Sequence, residues 1–271
     1  MNKKITKSKQ TISLLDSNTP FAIRESFTQL RTNLMYSFSG DHSCPIVGIT
    51  SIHESAGKST VITNLAISFA QMGKKVLLVD ADMRCPTVCR YFNTDPQAPG
   101  LSELISGIQE NVIQADVVPN LDLISSGHIP PNPAELLASE NAKKIIAGWR
   151  KHYDFVFMDF PPMELISDAL IVASELDGYI FTVRSGRNKN AKEIKAAIES
   201  MEQVNARILG IVLAAYNIKG IGYGYNNRYG KYGKYSSKYG KYGKYGASQY
   251  ANSQSSYEQS YVKQKSKSDQ T

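Results

Sequence analysis

The stretch GITSIHESAGKST, from Gly48 to Thr60, changes character halfway along. The apolar run PIVGITS (Pro45–Ser51) that leads into it reads as a strand, and Lys58 to Met72 carry the spacing of a helix. Between them a short loop ends in Gly57-Lys58-Ser59-Thr60. A loop of backbone N–H groups closed by a helix N-terminus is a ready anion site. In a phosphate-binding loop of the pattern G-x-x-x-x-G-K-[ST], the lysine reaches the β- and γ-phosphates and the hydroxyl ligates Mg²⁺. Here the pattern is met only in part, because Ile52 stands where its first glycine belongs. By itself AGKST is a weak signal.

The rest of the chain supplies the context. KVLLVDAD (Lys75–Asp82), LDLISS (Leu121–Ser126), FVFMDFPP (Phe155–Pro162), GYIFTVRS (Gly178–Ser185) and ILGIVLAAY (Ile208–Tyr216) are further near-continuous apolar runs. Such runs mark parallel strands covered on both faces. Helical patterns lie between them, over Pro133–His152 and Asn190–Val204, and another precedes them with apolar Phe27, Leu30 and Leu34. This alternation predicts an α/β fold, a doubly wound and mostly parallel sheet with helices on both faces. Ligands of such sheets bind beyond the carboxyl ends of the strands. Asp80, Asp82 and Asp159 fall at such ends, as does the GKS loop. Each aspartate alone reads as a helix cap or turn residue. Together at one sheet edge with Lys58 and Ser59 they predict a Mg²⁺–nucleotide site.

Charge is divided unevenly along the chain. The formal net charge is +7, yet Lys219–Thr271 hold ten Lys or Arg and two acids, a balance of +8, which leaves −1 for the preceding residues (7 minus 8). The basic character therefore belongs to the tail, and a nucleic-acid-binding globular domain is not indicated. Three cysteines, Cys44, Cys85 and Cys89, make no disulfide framework, and no Cys or His pair completes a metal site around the last two. The basic start MNKKITKSKQ has no apolar core after it, and no apolar run reaches the length of a membrane span. These features predict a cytoplasmic protein. They also predict three regions: an arm and helix over residues 1–40, a nucleotide-binding domain over 41–218, and a disordered Tyr/Gly/Lys-rich tail over 219–271.

The tail carries eleven tyrosines between Tyr223 and Tyr261. A helical stripe is excluded by Gly230, Gly233, Gly240, Gly243 and Gly246, each costing about 1 kcal/mol relative to alanine. An extended, solvated chain remains, and in such a chain each phenol is free to enter an active site without unfolding anything.

With these residues in view, the sequence resembles the bacterial tyrosine kinases of capsule and exopolysaccharide synthesis. The resemblance rests on the GKST loop, on VLLVDADMRCP as an additional Walker A′ motif, on FVFMDFPP as Walker B and on the tyrosine-rich tail. GLSELISG (Gly100–Gly107) and IPPNPAELLAS (Ile129–Ser139) also match connecting segments, and the likeness spans about Pro20 to Tyr261. It implies an ATP-dependent protein-tyrosine kinase that autophosphorylates between subunits. ATP would sit on Ser55, Ala56, Gly57, Lys58, Ser59 and Thr60, and Mg²⁺ on Ser59, Asp82 and Asp159. Lys58, Asp80 and Asp82 would be the catalytic set, with Asp80 taking the phenol proton. The acceptors would be Tyr225, Tyr229, Tyr232, Tyr235, Tyr239, Tyr242 and Tyr245. Implied partners are other copies in a ring-like homo-oligomer held through Glu25 and Arg31, a membrane-embedded activator or adaptor, and a cognate phosphotyrosine phosphatase. The adaptor would recruit the chain to the inner face of the cell membrane.

The sequence departs from the family pattern in three places. Glu54-Ser55-Ala56 replaces Pro-Gly-Glu before the GKS, Ala214 stands where an asparagine contacting the base is usual, and Thr28 replaces the middle arginine of the self-association motif. A competing reading is a non-kinase ATPase switch of the partitioning type, whose basic aromatic tail binds nucleic acid or membrane. Ile52–Ala56 lacks the second signature lysine of those ATPases, and the tail lacks their amphipathic helix.

Overall fold

In a computed structural model, residues 14–38, 40, 44–164, 168–185 and 191–215 are described. The tail tyrosines lie outside them, and the described residues fall in one compact unit, Met1–Tyr216. Seven strands form a single sheet: β1 (Ile46–Ser51), β2 (Val76–Asp80), β3 (Gln114–Val118), β4 (Leu121–Ile124), β5 (Phe155–Asp159), β6 (Gly178–Arg184) and β7 (Ile208–Ala214). Their order is β3-β4-β2-β5-β1-β6-β7, all parallel except β3, which runs antiparallel to β4. β1, β2 and β5 are buried at every residue, which is why their sequences show no polar alternation.

Eight α-helices accompany the strands: α1 (Phe21–Ser37), α2 (Lys58–Ala70), α3 (Cys89–Phe92), α4 (Leu101–Ser106), α5 (Pro133–Ala138), α6 (Glu140–Trp149), α7 (Asp168–Ile171) and α8 (Ala191–Gln203). One face of the sheet carries α1 and α2, with Leu34, Phe38, Ile62, Leu65 and Phe69 packed on Val47, Ile49, Leu78 and Phe157. The other face carries α4 to α8 over Leu77, Val79, Val156, Met158 and Phe181. α2 lies between the sheet and α1 and is buried along nearly its whole length, so its sequence is apolar almost all round. At the centre, Gly48 of β1 leaves room for the Tyr179 ring. A Cβ there would come 2.5 Å from that ring.

Two expectations need correction. The helix expected over Pro133–His152 is two helices, α5 and α6. Ser139 breaks it by turning extended (φ −67°, ψ 149°), and its Oγ accepts the Ala142 N–H at 3.1 Å, so the residue caps α6. Strand β3 was not expected at all. It is a half-exposed edge strand with a register shift and a left-handed Asp116 (φ 50°), so no apolar run announces it.

Candidate active site

The order β2-β5-β1 brings three carboxyl ends together, although the three strands are far apart in the chain. Asp80 stands in register with Asp159, and Ile49 with Asp159 on the other side. The phosphate-loop segment leaves β1 beside them. Met163 N–H and Glu164 N–H donate to the carbonyls of Ser51 and Ile52 at 2.8 and 3.0 Å, which anchors the start of the loop to the segment after β5. Ile52 sits where the consensus has glycine, and its side chain is buried in the core beneath the helices α4 to α8.

Further along, Ser55 is left-handed (φ 56°) and Gly57, at the cap of α2, is left-handed too (φ 94°). Glycine tolerates that region, whereas a serine there costs about 1–2 kcal/mol. The serine that replaces the usual glycine therefore carries backbone strain. Alternation of right- and left-handed residues turns successive N–H groups toward one concavity, the geometry of an anion nest. Lys58 and Ser59 open α2, whose N-terminal dipole points into the same space.

Facing them, Asp80 is wholly buried and accepts three backbone N–H bonds. Asp82 N–H donates to Oδ1 at 3.2 Å, and Thr87 and Val88 N–H donate to Oδ2 at 3.0 and 2.9 Å. Asp82 accepts from Arg84 and Cys85 N–H, both through Oδ1. Asp159 is equally buried, and its Oδ1 has no hydrogen-bond partner. Burial pushes both Asp80 and Asp159 well above the ordinary carboxylate range; the Asp159 charge adds to the rise at Asp80 and the Asp82 charge to that at Asp159, with Lys58 and Ser59 pulling Asp159 partly back. Burial also raises Asp82. Hydroxyls complete the surround: Thr87 Oγ1 donates to Ser59 Oγ at 2.8 Å, and Thr60 Oγ1 meets Tyr91 Oη at 2.7 Å.

Lys58, Ser59, Thr60, Ser55, Ala56, Gly57, Asp80, Asp82 and Asp159 therefore share one sheet edge. Ala214, at the end of β7, lies behind the loop, and a Cβ added to Gly57 would be 3.0 Å from its methyl. The self-association pair is divided. Glu25 is exposed on α1, whereas Arg31 Nη1 is committed within the chain to the carbonyl and hydroxyl of Ser68, at 2.6 and 3.0 Å.

Other residues at this edge, given no role by the sequence, take part as well. Arg84 forms a two-point ion pair with the fully buried Asp168, its Nε and Nη2 at 3.2 and 3.3 Å from the carboxylate oxygens. His53 is bracketed by Glu164 at 2.6 Å and Glu193 at 3.2 Å, and the Glu164 bond is the main reason its imidazole holds a proton more tightly than usual. Arg184 Nη1 donates to the Ser55 carbonyl at 2.9 Å. Thr87 and Arg184 belong to no motif, and His53 occupies an unspecified position of the phosphate-loop pattern. The available signal was their position, at or just past strand ends on the ligand-binding edge.

Among the described residues, no three His, Cys, Asp or Glu side chains converge as a metal cage. That suits Mg²⁺, which takes few protein ligands and completes its shell with water and phosphate oxygens. The buried, unpartnered Oδ1 of Asp159 beside the Ser59 hydroxyl and Asp82 is a hard-oxygen donor set of this kind.

Comparison with known proteins agrees with this geometry. A family model described as an AAA domain matches residues 46–209. A tyrosine-protein kinase CpsD of Streptococcus agalactiae is 38% identical over 209 residues, covering 76% of this chain and 90% of that protein. The kinase domain of the Escherichia coli tyrosine kinase ETK superposes with a TM-score of 0.66 at 32% identity, over 72% of this chain and 77% of that one. The chimerical protein CapA2B2 gives a TM-score of 0.65 at 36% identity, over 70% and 83%. These relatives set aside the non-kinase ATPase reading.

Proposed function

This chain belongs to the bacterial tyrosine-protein kinases, ATP-binding transferases of the phosphate-loop fold, and from that premise we propose that it phosphorylates the tyrosine cluster of its own C-terminal tail between subunits. In doing so it regulates the synthesis of a capsular or extracellular polysaccharide. One observation carries the reading: Lys58 at the start of α2, and Asp80 and Asp159 at the ends of strands remote in sequence, are buried at one sheet edge beside a nest of backbone N–H groups.

In this reading the nest and Lys58 hold the β- and γ-phosphates, and Thr87 keeps the Ser59 hydroxyl oriented. Ser59, Asp82 and Asp159 would hold Mg²⁺, which would neutralise charge on the phosphate oxygens. Asp80 is the proton acceptor. As the phenol oxygen bonds to the γ-phosphorus and the bond to the ADP oxygen breaks, the phenol proton passes to its carboxylate. The phenol has a pKa near 10, and burial raises Asp80 toward it, to about 8, which narrows the mismatch that limits general-base catalysis. Most of the rate comes from in-line positioning and electrostatics.

The tail is read as the substrate because it concentrates tyrosines among lysines, and the lysines favour approach to a carboxylate-rich cleft. Each added phosphate carries about −1.5 to −2 charges, so a few modifications offset the tail balance of +8. The unmodified tail docks on a neighbouring copy in a ring-like oligomer, and the phosphorylated tail is released. A phosphotyrosine phosphatase resets it. No helix among the described residues is long and apolar enough to cross a membrane, so attachment at the inner membrane face falls to a membrane-embedded activator; the similarity to CapA2B2, a chimera, supports a partner of that kind.

The test is incubation of the purified chain with Mg²⁺ and labelled ATP beside Lys58→Met, followed by mass spectrometry of the tail and sizing of the oligomer. Phosphate on Tyr225–Tyr245 that is absent in the variant is expected, with a smaller assembly after modification. Bare tyrosines despite ATP hydrolysis, with candidate activators added, refute the tail as substrate.

A further inference from the structure

Arg184 lies at the carboxyl end of β6, paired in register with Ala214 of β7 and next to the end of β1. Its guanidinium reaches across the sheet edge, and Nη1 donates to the Ser55 carbonyl at 2.9 Å. It makes no ion pair with a carboxylate among the described residues. Ser55 is also the strained position of the loop, left-handed at φ 56° without being glycine.

All described peptide bonds are trans. In a trans peptide the C=O and the following N–H point in opposite directions. Fastening the Ser55 carbonyl outward to Arg184 therefore turns the Ala56 N–H inward. Among the described residues, the N–H groups of Ser55, Ala56 and Gly57 donate to no protein acceptor, as donors kept for an anion would be. The methyl of Ala214 backs the same loop one residue later, at Gly57.

We infer that Arg184 is a positioning residue of the phosphate site: by holding the Ser55 carbonyl, it keeps a loop built with serine in the left-handed geometry that glycine would adopt unaided. The bond offsets the strain of Ser55 and fixes the plane of the Ser55–Ala56 peptide before nucleotide arrives. Preorganised donors bind an anion without first spending energy on their own ordering. The inference rests on Ser55–Ser59 being the nucleotide-phosphate site.

Because the guanidinium acts through the backbone, a glycine should replace it. The measurement is the affinity of the full chain for a fluorescent ATP analogue with Mg²⁺, in wild type, Arg184→Ala, Ser55→Gly and the double variant. Arg184→Ala should bind about tenfold more weakly, which is about 1.4 kcal/mol. Ser55→Gly is its own reference, and Arg184→Ala in the Ser55→Gly background should bind no more than about twofold more weakly than Ser55→Gly alone. Arg184→Lys keeps one donor on a long stem and should fall between. The inference is overturned if Arg184→Ala binds like wild type. It is also overturned if the double variant stays as weak as Arg184→Ala, since the guanidinium would then act on the phosphate charge directly. Should wild type bind no nucleotide, the site reading fails together with it, whereas a failure confined to the variants leaves that reading intact.

Discussion

Replacing Asp159 by asparagine should make the nucleotide-free protein more stable while abolishing its kinase activity. Asp159 is wholly buried, stands in register with Asp80 and has an oxygen without a partner. Burial, less the pull of Lys58 and Ser59, raises its pKa from 3.8 to about 6. The sign follows from proton counting. Below pH about 4 both folded and unfolded chains carry the proton, so the group is neutral in the balance. Between there and about 6 the folded protein keeps a proton that the unfolded chain has lost, and stability falls as pH rises. Above about 6 the full cost is present, roughly 3 kcal/mol for two decades of proton affinity.

Asparagine removes that cost and leaves a buried amide with incomplete hydrogen bonding, a loss of about 1 kcal/mol. The net gain is about 2 kcal/mol at pH 8, or about 4–8 °C in Tm for a domain of this size. The assay is thermal and urea unfolding of both proteins at pH 5 and pH 8, without divalent cation or nucleotide. The gain should shrink toward pH 5. Adding Mg²⁺ and ATP should reverse the order, because ligand bound to the folded state stabilises it by mass action and the asparagine variant lacks the carboxylate. An Asp159→Asn protein no more stable than wild type at pH 8 without metal would refute the account of Asp159 as a carboxylate held at a cost for function.

Three further outcomes follow from the same edge and its supports. Arg84→Ala strands the buried Asp168 without its ion pair; because the arginine is itself partly exposed, the loss should be about 2 kcal/mol in a urea titration, and Asp168→Asn in the same chain should recover most of it. The His53 contribution is complete below its ordinary pKa and disappears as pH rises through the raised folded value. Wild type should therefore lose stability relative to His53→Gln between pH 6 and pH 8.5 in thermal melts. Ser139→Ala removes the cap of α6 and should cost about 1 kcal/mol, read as a lower urea midpoint with unchanged slope.

What could be read in the sequence was whatever is recorded locally. β1, β2 and β5 are visible as apolar runs because each residue is buried on one face or the other. β3 is invisible because an exposed, irregular edge strand imposes no such demand on its side chains. The division of α5 from α6 turns on a single serine whose capping role depends on the backbone it creates. At the site, Lys58, Asp80 and Asp159 were legible since each closes or opens an element at a motif. Arg184 and His53 were not, since their partners, Ser55, Glu164 and Glu193, are brought to them by the fold.

The electrostatics of the site belong to that second class. β1 precedes β2 in the chain, and nothing in either segment states that β5, some 75 residues later, inserts between them. That insertion sets Asp80 opposite Asp159 on one side and the end of β1 beside Asp159 on the other. Two carboxylates unremarkable as strand-terminal residues thereby become a buried pair in which the Asp159 charge raises Asp80 while Lys58 draws on Asp159. Without a cation, burial and repulsion favour the protonated carboxyls; in the proposed reading a cation held by Ser59, Asp82 and Asp159 would favour the deprotonated carboxylates and leave Asp80 free to act as the proton acceptor. If Asp80 is the base and Asp159 a metal ligand, as proposed, the strand order would couple metal loading to the readiness of Asp80, and proton release on adding Mg²⁺ and ATP at pH 7 should be measurable in wild type and smaller in Asp159→Asn.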